Sequence, residues 1–209
     1  MRRVPPSDVA IAARAIEAGE LVIVPTDRWY MICCDAGNAR ACAAIFAAKK
    51  RPADKSLALV ADTIDTVNRH FALTPDAQAL AEEFWPGHLA LRLPWRDATT
   101  AQAYSAVGTP EALVTIAPDV LGDLAANATC LVAATTANIS GDGGTSPSIN
   151  IPEVAQFIAA AGIGDPLVID GGVCSIANHL TIVRCTPEAT VVVREGVVHS
   201  RSVTAALHR

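Results

Sequence analysis

The chain has 209 residues, of which 51% are hydrophobic, 4% aromatic and 18% charged, and its formal net charge is −5. That length fits one sizeable core, since a domain usually takes roughly 100 to 200 residues, and the composition excludes a disordered chain. Scarce aromatics and an acidic balance argue against a base-stacking platform and against a global basic field for polyanions. Any nucleotide has to be held by a local pocket. The six cysteines, Cys33, Cys34, Cys42, Cys130, Cys174 and Cys185, form no CxxC pair and have no histidine at metal-ligand spacing, which predicts buried free thiols and no metal site. The start carries Arg2 and Arg3 but no apolar h-region, and no apolar run approaches the roughly 18 residues of a membrane span. A soluble, cytoplasmic protein without a membrane partner is expected.

In chain order, Ser7 reads as the N-cap of a helix with apolar positions Val9, Ala12, Ala13 and Ile16, stopped at Gly19. Leu21 to Val24 predict a buried strand closed by Pro25, followed by a loop from Thr26 to Gly37. Asn38 caps a second helix that runs into Lys49, Lys50, Arg51 and is stopped by Pro52. A strand at Leu57 to Val60, helices at Asp62 to His70 and Pro75 to Phe84, and a strand at His88 to Leu93 follow. Arg96 to Pro110 is irregular and reads as a mobile loop. A strand near Leu113 to Ile116, a helix at Pro118 to Ala126 and a strand at Cys130 to Ala133 lead to a Gly/Ser-rich loop that ends at Asn150. The last elements are a helix at Pro152 to Ala161 and strands near Leu167 to Ile169, Leu180 to Val183 and Thr190 to Val193. This alternation predicts one α/β domain over residues 1–209 with a twisted, mixed parallel and antiparallel sheet.

Four polar clusters interrupt the apolar pattern at element ends, where loops converge. They are Pro25 to Tyr30; Lys49, Lys50, Arg51, Pro52 with Lys55; Thr135 to Gly141; and Arg194-Glu195-Gly196. Arginine grips phosphate oxygens with its planar fork and lysine as a point charge. Taken singly, each cluster is equally a turn or a helix end that complements the macrodipole.

Taken in order, the clusters resemble the YrdC family of threonylcarbamoyl-adenylate synthases. The family's PT-[DE]-T-x-Y-G-L segment reads here Pro25-Thr26-Asp27-Arg28-Trp29-Tyr30-Met31-Ile32, and its K-x-R-P segment reads Lys49-Lys50-Arg51-Pro52. The W-P-G-P-x-T segment reads Trp85-Pro86-Gly87-His88-Leu89-Ala90, S-A-N-x-S-G reads Thr136-Ala137-Asn138-Ile139-Ser140-Gly141, and R-x-G reads Arg194-Glu195-Gly196. The resemblance implies flanking helices around a large concave cavity, in which ATP, bicarbonate and L-threonine become threonylcarbamoyl-AMP and pyrophosphate, for the threonylcarbamoyladenosine modification of transfer RNA. It implies that Lys49 and Arg51 act on the triphosphate as catalytic residues. Lys55, Thr136, Asn138, Ser146 and Arg194 complete the nucleotide site, and Thr26, Arg28, Tyr30, Thr115 and Leu180 fall in the small-substrate pocket. ATP enters as a substrate, with Mg2+ on its phosphates and no prosthetic group.

Departures gather at the pocket. Arg28 replaces the motif's second threonine, Thr115 stands where relatives carry an arginine, Leu180 replaces a serine, Arg184 an aspartate and His88 a proline. Arg28 either supplies a cation for the amino acid's carboxylate from a new direction or pairs with Asp27 or Asp35 and fills the pocket. L-Threonine is therefore expected to be a poor substrate. A relative handling another carbamoyl or acyl adenylate from a different carbamoyl donor, and a non-catalytic nucleotide or RNA binder, are the alternatives. Direct RNA binding is disfavoured by the acidity and the few aromatics. His88 reads as a surface residue or one facing the cavity, Trp29 as narrowing the pocket or adding to the core, and Asp170-Gly171-Gly172 as a turn.

Overall fold

The computed structural model describes residues 1–52, 54–108, 111–141 and 144–208 and contains one ten-stranded sheet. Its strands are β1 (Arg2–Val4), β2 (Val22–Pro25), β3 (Tyr30–Asp35), β4 (Ala58–Val60), β5 (Leu89–Pro94), β6 (Glu111–Thr115), β7 (Val132–Thr136), β8 (Leu167–Ile169), β9 (Thr181–Cys185) and β10 (Thr190–Arg194). The helices are α1 (Val9–Glu17), α2 (Ala39–Lys49), α3 (Ile64–His70), α4 (Pro75–Phe84), α5 (Ala98–Ala103), α6 (Asp119–Asn127), α7 (Ile151–Ala161) and α8 (Ser200–Leu207). The strand order is β1-β8-β2-β3-β7-β4-β6-β5-β9-β10. Parallel pairs (β1/β8, β2/β8, β4/β6, β5/β9) alternate with antiparallel ones, so the expected mixed sheet is present.

Side-chain alternation sorts the strands onto two faces. Ile23, Ile32, Leu59, Leu91 and Val114 enter the larger core, with Ile45 of α2, Leu80 of α4, Phe157 of α7 and Val203 of α8. Val22, Val24, Met31 and Cys33 face the other way, against Ile16 of α1 and Leu121 and Leu124 of α6. Further along, Ala90, Leu180 and Ile182 form a separate small cluster flanked by Leu113.

Several local expectations need correction. The segment from Thr26 to Gly37 is no loop beyond Trp29, because Tyr30 to Cys34 are all buried and make β3, the antiparallel partner of both β2 and β7. An unbroken apolar run of that length is what a strand buried on both faces requires. The second helix ends before Pro52: Lys50 takes a left-handed conformation with φ 50°, and its N–H bonds to Ala47 and Phe46 carbonyls. The stretch from Arg96 holds α5, capped by Asp97, and a 3-10 turn at Ser105–Val107 whose Val107 is buried, while Thr109 and Pro110 lie outside the described residues. Asp142 and Gly143 of the Gly/Ser-rich loop also lie outside them. Ser7 sits inside a 3-10 turn, and Asp8 occupies the N-cap of α1. Neither β1 nor α8 was expected. β1 is three residues long and mostly exposed, and its backbone is held by parallel pairing to β8 rather than by apolar pattern. Asn38 and the bounds of α4 and β8 are as expected. Among the described residues, no helix is long and apolar enough to cross a membrane.

Gly196 anchors the turn after β10. Its N–H donates to Thr181 Oγ1 at 2.9 Å, and an added Cβ would lie 2.1 Å from the His179 carbonyl oxygen. Backbone on both sides leaves no side chain to yield. Gly196→Ala should therefore cost about 1–3 kcal/mol or more, the scale of overpacking, read as a lower denaturant midpoint with an unchanged slope.

Candidate functional site

The nucleotide-side residues converge on the C-terminal end of β7. Lys49, the last residue of α2, is fully buried, and its Nζ donates to the Thr136 carbonyl, to the Asn138 carbonyl at 2.7 Å and to Asn138 Oδ1 at 2.9 Å. The three acceptors take its three N–H groups, the arrangement a charged ammonium satisfies. Burial, with Arg51 and Lys55 nearby, opposes that charge and pulls the Lys49 pKa down to about 7. Thr136 Oγ1 donates to Asn138 Oδ1 at 2.7 Å, and Asn138 Nδ2 donates to the Thr145 carbonyl at 2.8 Å, so one lysine and one amide pin the whole turn. The Ser140 N–H closes it by donating to the Lys49 carbonyl at 2.8 Å.

Arg51 approaches the same end of the sheet. One Nη donates to the Ser56 carbonyl at 2.6 Å, while the buried Nε has no partner. Burial holds its pKa below the ordinary arginine range, opposed by Asp54. Lys55 and Ser146 are exposed. Ser148 was not singled out from the sequence: it is buried, its Oγ donates to the Ala137 carbonyl at 2.7 Å, and its own carbonyl accepts from the Tyr30 N–H at 2.8 Å.

Tyr30 begins β3 between this turn and the second group. Its carbonyl accepts from the Ala137 N–H at 2.8 Å, and its hydroxyl donates to the Gly172 carbonyl at 2.9 Å while accepting from the Gly171 N–H at 3.2 Å. Desolvation raises the phenol pKa to about 12. Asp170-Gly171-Gly172 is thus more than a turn: Asp170 pairs with Arg3, and the two glycines clamp Tyr30. Thr26 stays within its own loop, accepting from the Arg28 and Trp29 N–H groups at 3.1 and 3.0 Å.

Arg28 is 6% exposed, yet its side chain makes no hydrogen bond among the described residues. Its Nε lies 3.8 Å from Asp27 Oδ1. Asp35, the alternative partner, is at the far end of β3. Burial lowers the Arg28 pKa, Asp27 opposes, and Arg194 adds to the lowering. Arg194 donates Nε and Nη to the Leu180 carbonyl at 3.1 and 3.0 Å, and burial followed by Arg92 depresses its pKa. His179 joins them, its pKa lowered by burial and by Arg194 and Arg28. Trp29 is 9% exposed and belongs to the core, with its ring 5.9 Å from that of His179.

Of the remaining pocket positions, Thr115 is buried and spends its hydroxyl on the Leu89 carbonyl at 2.8 Å. Leu180 contributes its carbonyl to Arg194 and its side chain to the small apolar cluster. Arg184 is tied to Glu111 by two 2.9 Å bonds from Nε. His88 is half-buried and lies 3.0 Å from Asp27 Oδ2 through Nε2.

Five of the six thiols are buried as expected and Cys130 is half-buried, with burial raising Cys33 strongly and Cys174 to about 11. No group of three metal-ligating side chains occurs among the described residues. Two clefts, of about 350 Å³ beside Gly19 and Asn38 and about 260 Å³ beside His70 and Tyr104, are lined by none of the motif residues. In and near the motif region, Asp27 Oδ1, Arg28 Nε, Trp29 Nε1, Arg51 Nε, His88 Nδ1 and Arg92 Nε are buried without a hydrogen-bond partner, the first two facing each other at 3.8 Å. Buried groups of this kind are normally satisfied, and three of the six belong to arginines, the side chain suited to an anionic ligand.

Known proteins resemble the chain over most of its length. A family model, Sua5_yciO_yrdC, described as "Telomere recombination", matches residues 14–196. The chain is 29% identical over 207 residues to a threonylcarbamoyl-AMP synthase of Bacillus subtilis, covering 95% of this chain and 56% of that protein. It is 32% identical over 190 residues to one of Pyrococcus abyssi, covering 90% of this chain and 54% of that protein. It thus spans about half the length of these two relatives. The structure of P. abyssi Sua5 complexed with L-threonine superposes with a TM-score of 0.84 at 27% identity, over 98% of this chain and 59% of that one. Escherichia coli YciO shares the fold, with a TM-score of 0.77 at 17% identity over 95% of both chains.

Lys49 supplies a stability test. Lys49→Met leaves the Asn138 carbonyl without a donor and takes one of two donors from the Thr136 carbonyl and from Asn138 Oδ1, and should cost about 1–3 kcal/mol. With a folded pKa of about 7, below the unfolded value of about 10.4, the folded protein loses its proton first. Lys49's own contribution to stability should therefore rise between those two pH values, while the buried thiols, whose pKa values are raised, pull both proteins down as the range is climbed. Denaturant melts across that range should show the stability difference between wild type and Lys49→Met shifting in the wild type's favour as pH rises.

Proposed function

The chain belongs to the Sua5/YciO/YrdC family, and we propose that it joins ATP, bicarbonate and a small amino acid of the threonine class into a carbamoyl-amino-acid adenylate and pyrophosphate. The reading rests above all on one observation: buried Arg28 and half-buried Arg51 each hold a buried Nε that makes no hydrogen bond. Arg28 has Asp27, 3.8 Å away, as its counter-ion, and cations desolvated with so little compensation cost stability unless an anion completes the site. A triphosphate and a carboxylate are the two anions this reaction brings.

Arg51, with Lys55 at the rim, serves the triphosphate and balances charge that builds on the departing pyrophosphate. Lys49 acts through the turn it holds, keeping Thr136 and Asn138 fixed beside the nucleotide, and its own charge lies one contact away. Arg194 stands over the phosphate side from β10. Mg2+ travels with the nucleotide as part of the substrate, held by phosphate oxygens and water. With Thr115 neutral and already bonded, Arg28 is the cation that meets the amino acid's carboxylate. The first chemical step forms an N–C bond between the amino group and bicarbonate carbon as hydroxide leaves, and the hydroxide takes the amine proton as water. The carbamate oxygen then attacks the α-phosphorus and expels pyrophosphate. The product's place is the transfer RNA modification pathway of the cytoplasm.

The test is pyrophosphate release with ATP, bicarbonate and each of the twenty amino acids. Release should require both bicarbonate and an amino acid. Arg51→Ala should weaken ATP binding by about 1.5–3 kcal/mol, the scale of a charged hydrogen bond, measured by calorimetry. Arg28→Ala should instead raise the amino-acid KM and leave ATP affinity within about 3-fold. ATP affinity unchanged in Arg51→Ala, or release independent of amino acid, would overturn the assignment.

A further inference from the structure

Two of the chain's departures from its family's motifs meet on one carboxylate. Arg28 stands where the motif carries threonine and His88 where it carries proline, 60 positions apart in sequence. Asp27 lies between them, with Oδ1 3.8 Å from Arg28 Nε and Oδ2 3.0 Å from His88 Nε2. The backbone fixes both ends. His88 follows Gly87, whose N–H donates to the Ile116 carbonyl at 3.1 Å, and the His88 carbonyl accepts from the Thr181 N–H, also at 3.1 Å. The Asp27 carbonyl accepts from the Ile176 N–H at 2.9 Å. Arg28 itself has no side-chain hydrogen bond to orient it.

We propose that His88 is a positioning residue that sets the amino-acid affinity of this enzyme, by holding Asp27 in the orientation that aims Arg28 at the substrate carboxylate. The inference rests on the reading of Arg28 as the carboxylate's cation. A guanidinium carries five N–H groups in a rigid fork, so a carboxylate beside Nε leaves both terminal nitrogens for a bidentate partner. A buried arginine without that neighbour has several rotamers and no preferred direction. His88 removes the same freedom from Asp27 through Oδ2, leaving Oδ1, which makes no hydrogen bond, to face Arg28 Nε at 3.8 Å. A proline at position 88 has no group to reach Asp27, and a threonine at position 28 has no fork to aim. Each replacement is useful only with the other.

The experiment is steady-state pyrophosphate release by the full chain, with ATP and the amino acid varied separately, in His88→Leu, His88→Gln, Arg28→Ala and the double variant His88→Leu/Arg28→Ala. His88→Leu should raise the amino-acid KM by about 10-fold or more, with kcat and the ATP KM within about 3-fold. His88→Gln, which keeps an N–H donor of similar reach, should recover most of that loss. The double variant should be no worse than Arg28→Ala alone, because a group that acts only through Arg28 has nothing left to act on. A His88→Leu effect that falls equally on ATP and amino acid, no effect at all, or a double variant carrying the product of both losses would overturn the proposal and leave the functional reading standing. No amino-acid-dependent turnover in the wild-type protein would overturn both. Melting temperatures of all four variants separate unfolding from these outcomes: a His88→Leu protein that melts early and that His88→Gln does not rescue kinetically also counts against the proposal.

Discussion

The ammonium of Lys49 is the fixed point around which the site is assembled. It sits without solvent contact at the end of α2 and is bonded to three oxygens of the turn that leaves β7. Through that turn it also sets Tyr30, because the Ala137 N–H donates to the Tyr30 carbonyl and Ser148 lies between Ala137 and the Tyr30 N–H. A helix from one face of the sheet, a turn at its edge and the start of a central strand are thereby locked to one another. An apolar side chain would fill the space but leave the Asn138 carbonyl without a donor and weaken the hydrogen bonding of the other two oxygens, a larger loss than a single exposed hydrogen bond is worth.

Arg51 stands near this satisfied lysine, and Arg28, Arg194 and Arg92 form a second cationic group. Arg28, Arg51 and Arg92 each leave a buried N–H unused, and Arg194 is held by a single carbonyl oxygen. The contrast is between a cation that holds the fold and cations that the fold leaves with donors to spare. Lys49 has spent every donor on the protein, whereas the arginines keep donors in reserve, and burial has already removed the water that would compete for them. Desolvating those groups weakens the free protein and strengthens each later contact with an anion.

Much of this was legible in the sequence, and the gaps have physical causes. Motif order located Lys49, Arg51, Thr136, Asn138 and Arg194 because charged residues at element ends stand out against an apolar background. β3 was lost because its motif residues were read as a loop, although Tyr30 to Cys34 form an unbroken apolar run. β1 carries no apolar pattern, being held by backbone pairing alone. That Lys49 faces inward could not be read from a basic triplet in which Lys50 is exposed and takes the left-handed turn. Ser148 and the Gly171-Gly172 clamp act through contacts across more than ten residues or more than a hundred, and one sequence has no signal for such pairs. His88 was legible as a departure, but its partner was not.

Where a cation is mounted changes what it needs. Thr115 lies on β6, a strand paired on both sides, so an arginine there would inherit its direction from the sheet. Arg28 lies in the four-residue connection from β2 to β3, where Pro25 pairs with Tyr30 and no ladder fixes the residues between them. Thr26 restrains that backbone by accepting from two N–H groups, yet it does nothing for the guanidinium at the end of a long side chain. Moving the charge from strand to loop therefore replaces sheet rigidity by a chain of polar contacts, Arg28 to Asp27 to His88. Such a chain is softer than a strand, since each link adds rotatable bonds and can be loosened at either end. On the proposed reading of Arg28, the same softness lets a loop-borne fork adjust to carboxylates presented at slightly different angles, so the cation itself is a weak source of selectivity among small amino acids.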